Sequence, residues 1–102
     1  MSRRTRLEEM LRADPNDTFL HYALALEDLS EGNPGAARQR LEDVLQRDSK
    51  YVAAYFQLGQ LLAEAGEANE ARSVIERGIA AARDTGDAHA ESEMTGFLAT
   101  LG

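Results

Sequence analysis

The chain has 102 residues, 11 basic against 18 acidic side chains and no cysteine, for a net charge of −7. One domain is expected at this length. The missing thiols exclude disulfides, thiolate metal sites and cysteine nucleophiles, and the acidic excess argues against nucleic acid, whose phosphates need clustered Lys and Arg. Seventeen Ala and 13 Leu against 3 Val and 2 Ile exclude an ordinary β domain, because Ala and Leu favour helix and β-branched residues favour strand.

The opening Met1-Ser2-Arg3-Arg4-Thr5-Arg6 is basic, but Leu7-Glu8-Glu9 follows in place of an apolar core, so no secretory signal is expected. A first helix is expected over 3–13. It ends at Asp14-Pro15-Asn16-Asp17, where Pro15 forces Asp14 out of the helical region. A second helix, 18–31, ends at Gly32-Asn33-Pro34. Asn33 there suits the N-cap, and Pro34 the first position, of a third helix over 34–47. Ser49 is read as the cap of a fourth helix, 50–65, which Gly66 ends by adopting a left-handed conformation. A fifth covers 68–83. The break Asp84-Thr85-Gly86-Asp87 separates it from a sixth, 88–101, with Asp87 as its cap. Connections of about two to five residues join antiparallel neighbours. The longest uncharged run, 51–63, is too short to span a bilayer. No membrane partner is expected, and the protein is read as cytoplasmic.

Sliding the chain on itself by 34 residues aligns Leu24 with Leu58, Ala25 with Gly59, Gly32 with Gly66, Ala37 with Ala71, Arg38 with Arg72, Leu41 with Ile75, Glu42 with Glu76 and Leu45 with Ile79. The same register carries Arg4, Leu7, Glu8 and Leu11 onto Arg38, Leu41, Glu42 and Leu45. A period of 34 with two helices per unit resembles the tetratricopeptide repeat family. Residues 52–85 carry Tyr55-x2-Leu58-Gly59-x2-Leu62 and Ala71-x3-Ile75; residues 18–51 carry His21-x2-Leu24-Ala25-x2-Asp28 and Ala37-x3-Leu41. The resemblance implies an all-α, right-handed solenoid of antiparallel helix pairs in a single domain. Its divisions would be a half repeat at 3–17, repeats at 18–51 and 52–85, and a capping helix at 86–102, with no further repeat after it. The apolar positions of that last helix, Ala90, Met94, Phe97, Leu98 and Leu101, share one face, and a polar outer face on a terminal element keeps a solenoid soluble. Three departures stand out. His21 replaces an aromatic and is read as its packing substitute. Asp28 replaces an apolar residue. Gly78 replaces a small Ala and is expected to cost about 1 kcal/mol inside a helix.

Chemistry-bearing side chains are sparse. The pairs Glu8-Glu9, Glu27-Asp28 and Glu42-Asp43 point about 100° apart on their helices and are read as solvated faces rather than converging acid–base pairs. His21 and His89 lack the further ligands of a metal site. Gly32-Asn33-Pro34-Gly35 is a turn and not a phosphate-cradling loop. Arg3, Arg4, Arg6 and Arg12 are expected to pair with acidic neighbours in the chain or to be solvated, rather than to bind phosphate. No catalytic residue, metal or cofactor is therefore expected, and the protein is read as no enzyme.

In the family it resembles, the first helix of each pair lines a concave surface that accepts a peptide or a helix of a partner protein. Carried over by position, that groove comprises Phe19, Tyr22, Leu26 and Leu29, then Ala53, Phe56, Gln57, Gln60 and Glu64. A clamp for a terminal carboxylate is not expected, since only Lys50 lies at its edge. The expected function is protein–protein interaction through an apolar groove, and the alternative is a homo-oligomer that uses the groove or a solenoid end.

Overall fold

The computed structural model describes residues 2–102. Six helices follow one another: α1 (Arg3–Ala13), α2 (Thr18–Ser30), α3 (Pro34–Arg47), α4 (Val52–Glu64), α5 (Ala68–Thr85) and α6 (Ala88–Thr100). There is no strand among the described residues. Each helix packs on the next in the chain, and α4 also touches α6. The result is an all-α solenoid of stacked antiparallel hairpins, 42 × 29 × 20 Å.

Local chemistry fixes the ends of these helices. Ser2, Asp17 and Asp87 accept hydrogen bonds from the backbone N–H of Thr5, Leu20 and Ala90, which satisfies donors the first turn would leave orphaned. Gly32, Gly66 and Gly86 have φ of +79°, +82° and +74°, the left-handed conformation that stops a helix at little cost. Two boundaries differ from expectation by more than one residue. Ser49 caps nothing: α4 starts at Val52 with Tyr51 in the cap position, and the Ser49 carbonyl instead accepts a hydrogen bond from the Tyr55 hydroxyl at 2.8 Å. α5 continues to Thr85, whose hydroxyl donates to the Ala81 carbonyl at 3.0 Å. Asn33 does occupy the cap position of α3, but its side chain makes no capping bond.

Burial follows one rule through the stack. Leu24, Leu58 and Met94 are each the seventh residue after an N-cap, and all three are buried. Leu41 and Ile75 fill the facing helices, and Ala25, Ala37, Ala54, Ala71 and Ala82 are fully buried between them. Such small residues let helix axes approach while the large ones fill the space beside them.

Asp28 contradicts the expectation of a solvated face. It is only 3% exposed, with Arg4 of α1 on one carboxylate oxygen and Arg40 of α3 on the other, the latter at 2.8 Å. A buried carboxylate is tolerated when it is paired and hydrogen-bonded, so the position that breaks the apolar pattern became a polar junction of three helices. Arg4 also reaches Glu31 at 3.0 Å, and Arg3 pairs with Glu27, as expected of these arginines. α1 has no buried residue, and these ion pairs join it to α2 and to the C-terminal end of that helix. Removing one partner of a buried pair costs about 3–5 kcal/mol, a figure that partial exposure of Arg4 and Arg40 lowers here. His21 likewise does more than fill space. Its Nε2 lies 2.9 Å from the Pro15 carbonyl, tying the first turn to α2.

Gly78 was expected to be a defect, and the packing reverses that reading. A Cβ at this position would lie 2.6 Å from Cβ of Tyr55 and 2.7 Å from Sδ of Met94. Tyr55 Cβ is fixed to its backbone, so the room must come from separating α5 from α4. Gly59 makes a similar approach to Ile75, whose Cδ1 an added Cβ would meet, but that atom ends a side chain. Gly78→Ala should gain about 1 kcal/mol of helix propensity and lose about 1–3 kcal/mol to overpacking. We expect net destabilisation in urea unfolding, where propensity alone predicts a more stable protein.

Candidate interaction surface

The first helices of successive hairpins, α2 and α4, lie side by side, and α6 continues the row. Tyr22 of α2, Ala53, Phe56 and Gln57 of α4, and Val52 at its start come together around a cavity of about 230 Å³. Asp87, His89, Ala90 and Glu93 close it from the α6 side. The uncharged run of α4 provides its floor. Ring contacts hold the walls: Tyr22 and Tyr51 stand 5.1 Å apart at 42°, and Phe56 meets Phe97 of α6 edge-on at 5.8 Å. Such aromatic pairs contribute about 0.5–1.5 kcal/mol beyond the area they bury.

Of the nine residues anticipated for the groove, four line this cavity: Tyr22, Ala53, Phe56 and Gln57. Phe19 is 60% exposed and Leu26 36% exposed on α2. Leu29 packs against the core, Gln60 is half-buried, and Glu64 is exposed at the end of α4; these five lie outside the cavity. Cover of part of the groove by the final helix was one of the expected alternatives, but Asp87, His89, Ala90 and Glu93 were not among the residues anticipated. The signal for this wall was present as the burial rule above: Met94 falls 36 residues after Leu58, whereas Leu58 falls 34 after Leu24. A search at a single period of 34 passes over the two added residues.

A larger cavity of about 530 Å³ opens between α3 and α5 over Leu45, Leu58, Leu62 and Val74. Its charged rim is engaged internally. Glu70 accepts from Arg38 at 3.1 Å, and the Arg77 guanidinium lies 5.5 Å from the centre of the Tyr55 ring. The smaller cavity is the better candidate because aromatic surface and acidic groups meet there. Among the described residues no three His, Asp or Glu side chains converge as a metal site would require. No helix is long and apolar enough to cross a membrane. His89 meets Glu93 at 3.1 Å on an exposed helix face.

Burial pushes the Tyr22 phenol above its ordinary value of 10.0, opposed in part by a hydrogen bond with Gln57. Burial raises Tyr51 as well, helped by Tyr22, Asp17 and Asp48. Both shifts favour the protonated phenol in the fold. Their contribution to stability is complete below pH 10 and is lost as pH rises through the folded values. Phenolate absorbance should therefore show two tyrosines titrating late, and Tyr22→Phe/Tyr51→Phe should make the alkaline loss of stability shallower.

The profile of the tetratricopeptide repeat family matches residues 28–91. The chain is 36% identical to a TPR repeat-containing protein of Pseudomonas aeruginosa, over 93% of this chain and 90% of that one. Among solved structures it is similar to a tetratricopeptide repeat domain protein of Salinibacter ruber, with 32% identity, a TM-score of 0.82, and coverage of 86% of this chain and 89% of that one. A Bordetella parapertussis protein gives 31% identity and a TM-score of 0.85, covering 99% and 88%. The type III secretion translocator chaperone SycD of Yersinia enterocolitica shares the fold at a TM-score of 0.86 and 15% identity, over 96% of this chain and 68% of that one.

Proposed function

The chain belongs to the tetratricopeptide repeat family, whose domains are in general protein–protein interaction modules, and from that membership we propose that it is a non-catalytic adaptor of the cytoplasm. It binds a peptide or helix of a partner protein on the concave side formed by α2, α4 and α6. The division we propose is a half repeat at 3–17, repeats at 18–51 and 52–85, and a closing helix at 86–102 that also supplies one wall of the groove. The observation that carries this reading is the cavity between Tyr22 and Phe56, an indentation with aromatic walls and an acidic rim. Binding pockets commonly join an apolar interior to a few convergent polar groups, and grooves between helices accept amphipathic segments through a small number of apolar anchors. Phe19 and Leu26, exposed on α2, extend the apolar strip on either side of Tyr22.

Affinity capture from native lysate compares the wild type with Tyr22→Ala/Phe56→Ala, after circular dichroism has shown that the variant is helical. We expect at least one protein to be retained by the wild type and lost with the variant. Equal recovery of every protein by both would count against the groove. Light scattering across a concentration series separates self-association from this reading: a monomer is expected, and a dimer that the double variant abolishes would make a second copy the occupant.

A further inference from the structure

Charge is sorted between the two rows of helices. All 11 basic side chains lie on α1, α3 and α5 or at Lys50, and α2, α4 and α6 carry no Lys or Arg at all. Those three helices hold five acids: Glu27, Asp28, Glu64, Glu91 and Glu93. Three of the five are neutralised across the fold. Arg3 takes Glu27, Arg4 and Arg40 take Asp28, and Arg83 takes Glu91 at 2.6 Å. The two of these five left without an arginine or lysine among the described residues are Glu64 and Glu93, and Asp87, just before α6, likewise has none. Glu93 has only the exposed His89 beside it, Glu64 is exposed, and Asp87 gives one oxygen to the Ala90 N–H as a helix cap. Asp87 and Glu93 border the cavity walled by Tyr22 and Phe56.

We propose that the occupant of this groove is a cationic amphipathic helix of a partner protein, one apolar side chain filling the cavity and Lys or Arg on the flanking turns meeting Asp87 and Glu93. The inference rests on the groove reading above and adds the sign of the partner. An acidic ligand would meet like charge, the lysine at the edge, Lys50, being paired with Asp84 at 3.2 Å, whereas a basic one gains complementarity that steers its approach and selects against wrong partners. A helix fits the apolar strip on α2. Phe19 and Leu26 are seven residues apart, about 10 Å along the axis, which matches anchors at i and i+7 on a guest helix.

The test uses three synthetic peptides of one length and helical pattern, built from Leu and Lys, Leu and Glu, or Ser and Lys, titrated by fluorescence anisotropy into the full chain. The Leu/Lys peptide should bind at least about tenfold tighter than the other two, and weaken as salt rises. Asp87→Asn/Glu93→Gln, in which Asn keeps the cap, should remove most of that preference. Glu9→Gln/Glu76→Gln makes the same charge change on the opposite row and should leave it intact. Equal loss in both charge variants, or Ser/Lys binding as tightly as Leu/Lys, means general attraction to an acidic protein and overturns the proposal. If Leu/Glu binds as well as Leu/Lys and Tyr22→Ala/Phe56→Ala abolishes both, the groove stands and its cationic preference falls. No binding by any peptide, or binding indifferent to Tyr22→Ala/Phe56→Ala, overturns groove and preference together.

Discussion

Gly78 brings the backbone of α5 against Tyr55 of α4 and Met94 of α6, and the position of α6 follows from that contact. With a side chain at 78, α5 would stand away from both neighbours. α6 lies beside α4, where Phe97 meets Phe56 and where Asp87, His89, Ala90 and Glu93 close the cavity, so a shift of α5 would disturb that wall. A single missing methyl group thus connects the interior of the stack to the shape of its concave face. Close-packed interiors transmit such constraints because they hold no slack.

The other end of the molecule is assembled differently. There the junction is ionic, with Asp28 held by Arg4 and Arg40 and surrounded by Arg3–Glu27 and Arg4–Glu31. Met10 and Phe19 remain 54% and 60% exposed beside it. One end of the solenoid thus has a close apolar contact at its centre and the other a buried ionic junction. Added salt weakens exposed ion pairs more than buried ones, so it acts on the periphery of α1 before it reaches the α4–α5–α6 seam.

Much of this fold could be read from the sequence because its signals are local. Asp87 as a cap, Pro34 at the start of α3, Gly66 after α4 and the 34-residue register depend on neighbours in the chain or on repetition. What sequence reasoning missed depends on contacts between distant segments. Asp28 looked solvated because nothing near it in sequence announces that Arg4, 24 residues away, will reach it. Gly78 looked like a weak point because propensity is intrinsic while its approach to Tyr55 and Met94 is tertiary. Half of the cavity wall was missed because α5 runs on to Thr85, moving α6 off the 34-residue register, while the burial seven residues after each cap persists. Phe19, Leu26, Leu29, Gln60 and Glu64 share the family's groove positions, yet the cavity forms only where α6 faces α4, which position within a repeat does not encode.

Segregating the basic residues onto α1, α3 and α5 leaves the concave row acidic around an aromatic cavity. The Gly78 contact and the proposed groove thus share α4 and α6, and their arrangement depends on that contact. A nuclear Overhauser spectrum of the wild-type protein tests it most directly. The account predicts cross-peaks from the Gly78 α protons to both the Tyr55 β protons and the Met94 methyl group, together with ring-to-ring cross-peaks between Phe56 and Phe97. A helical, folded protein in which Gly78 contacts neither side chain and the two rings are not in proximity would contradict it.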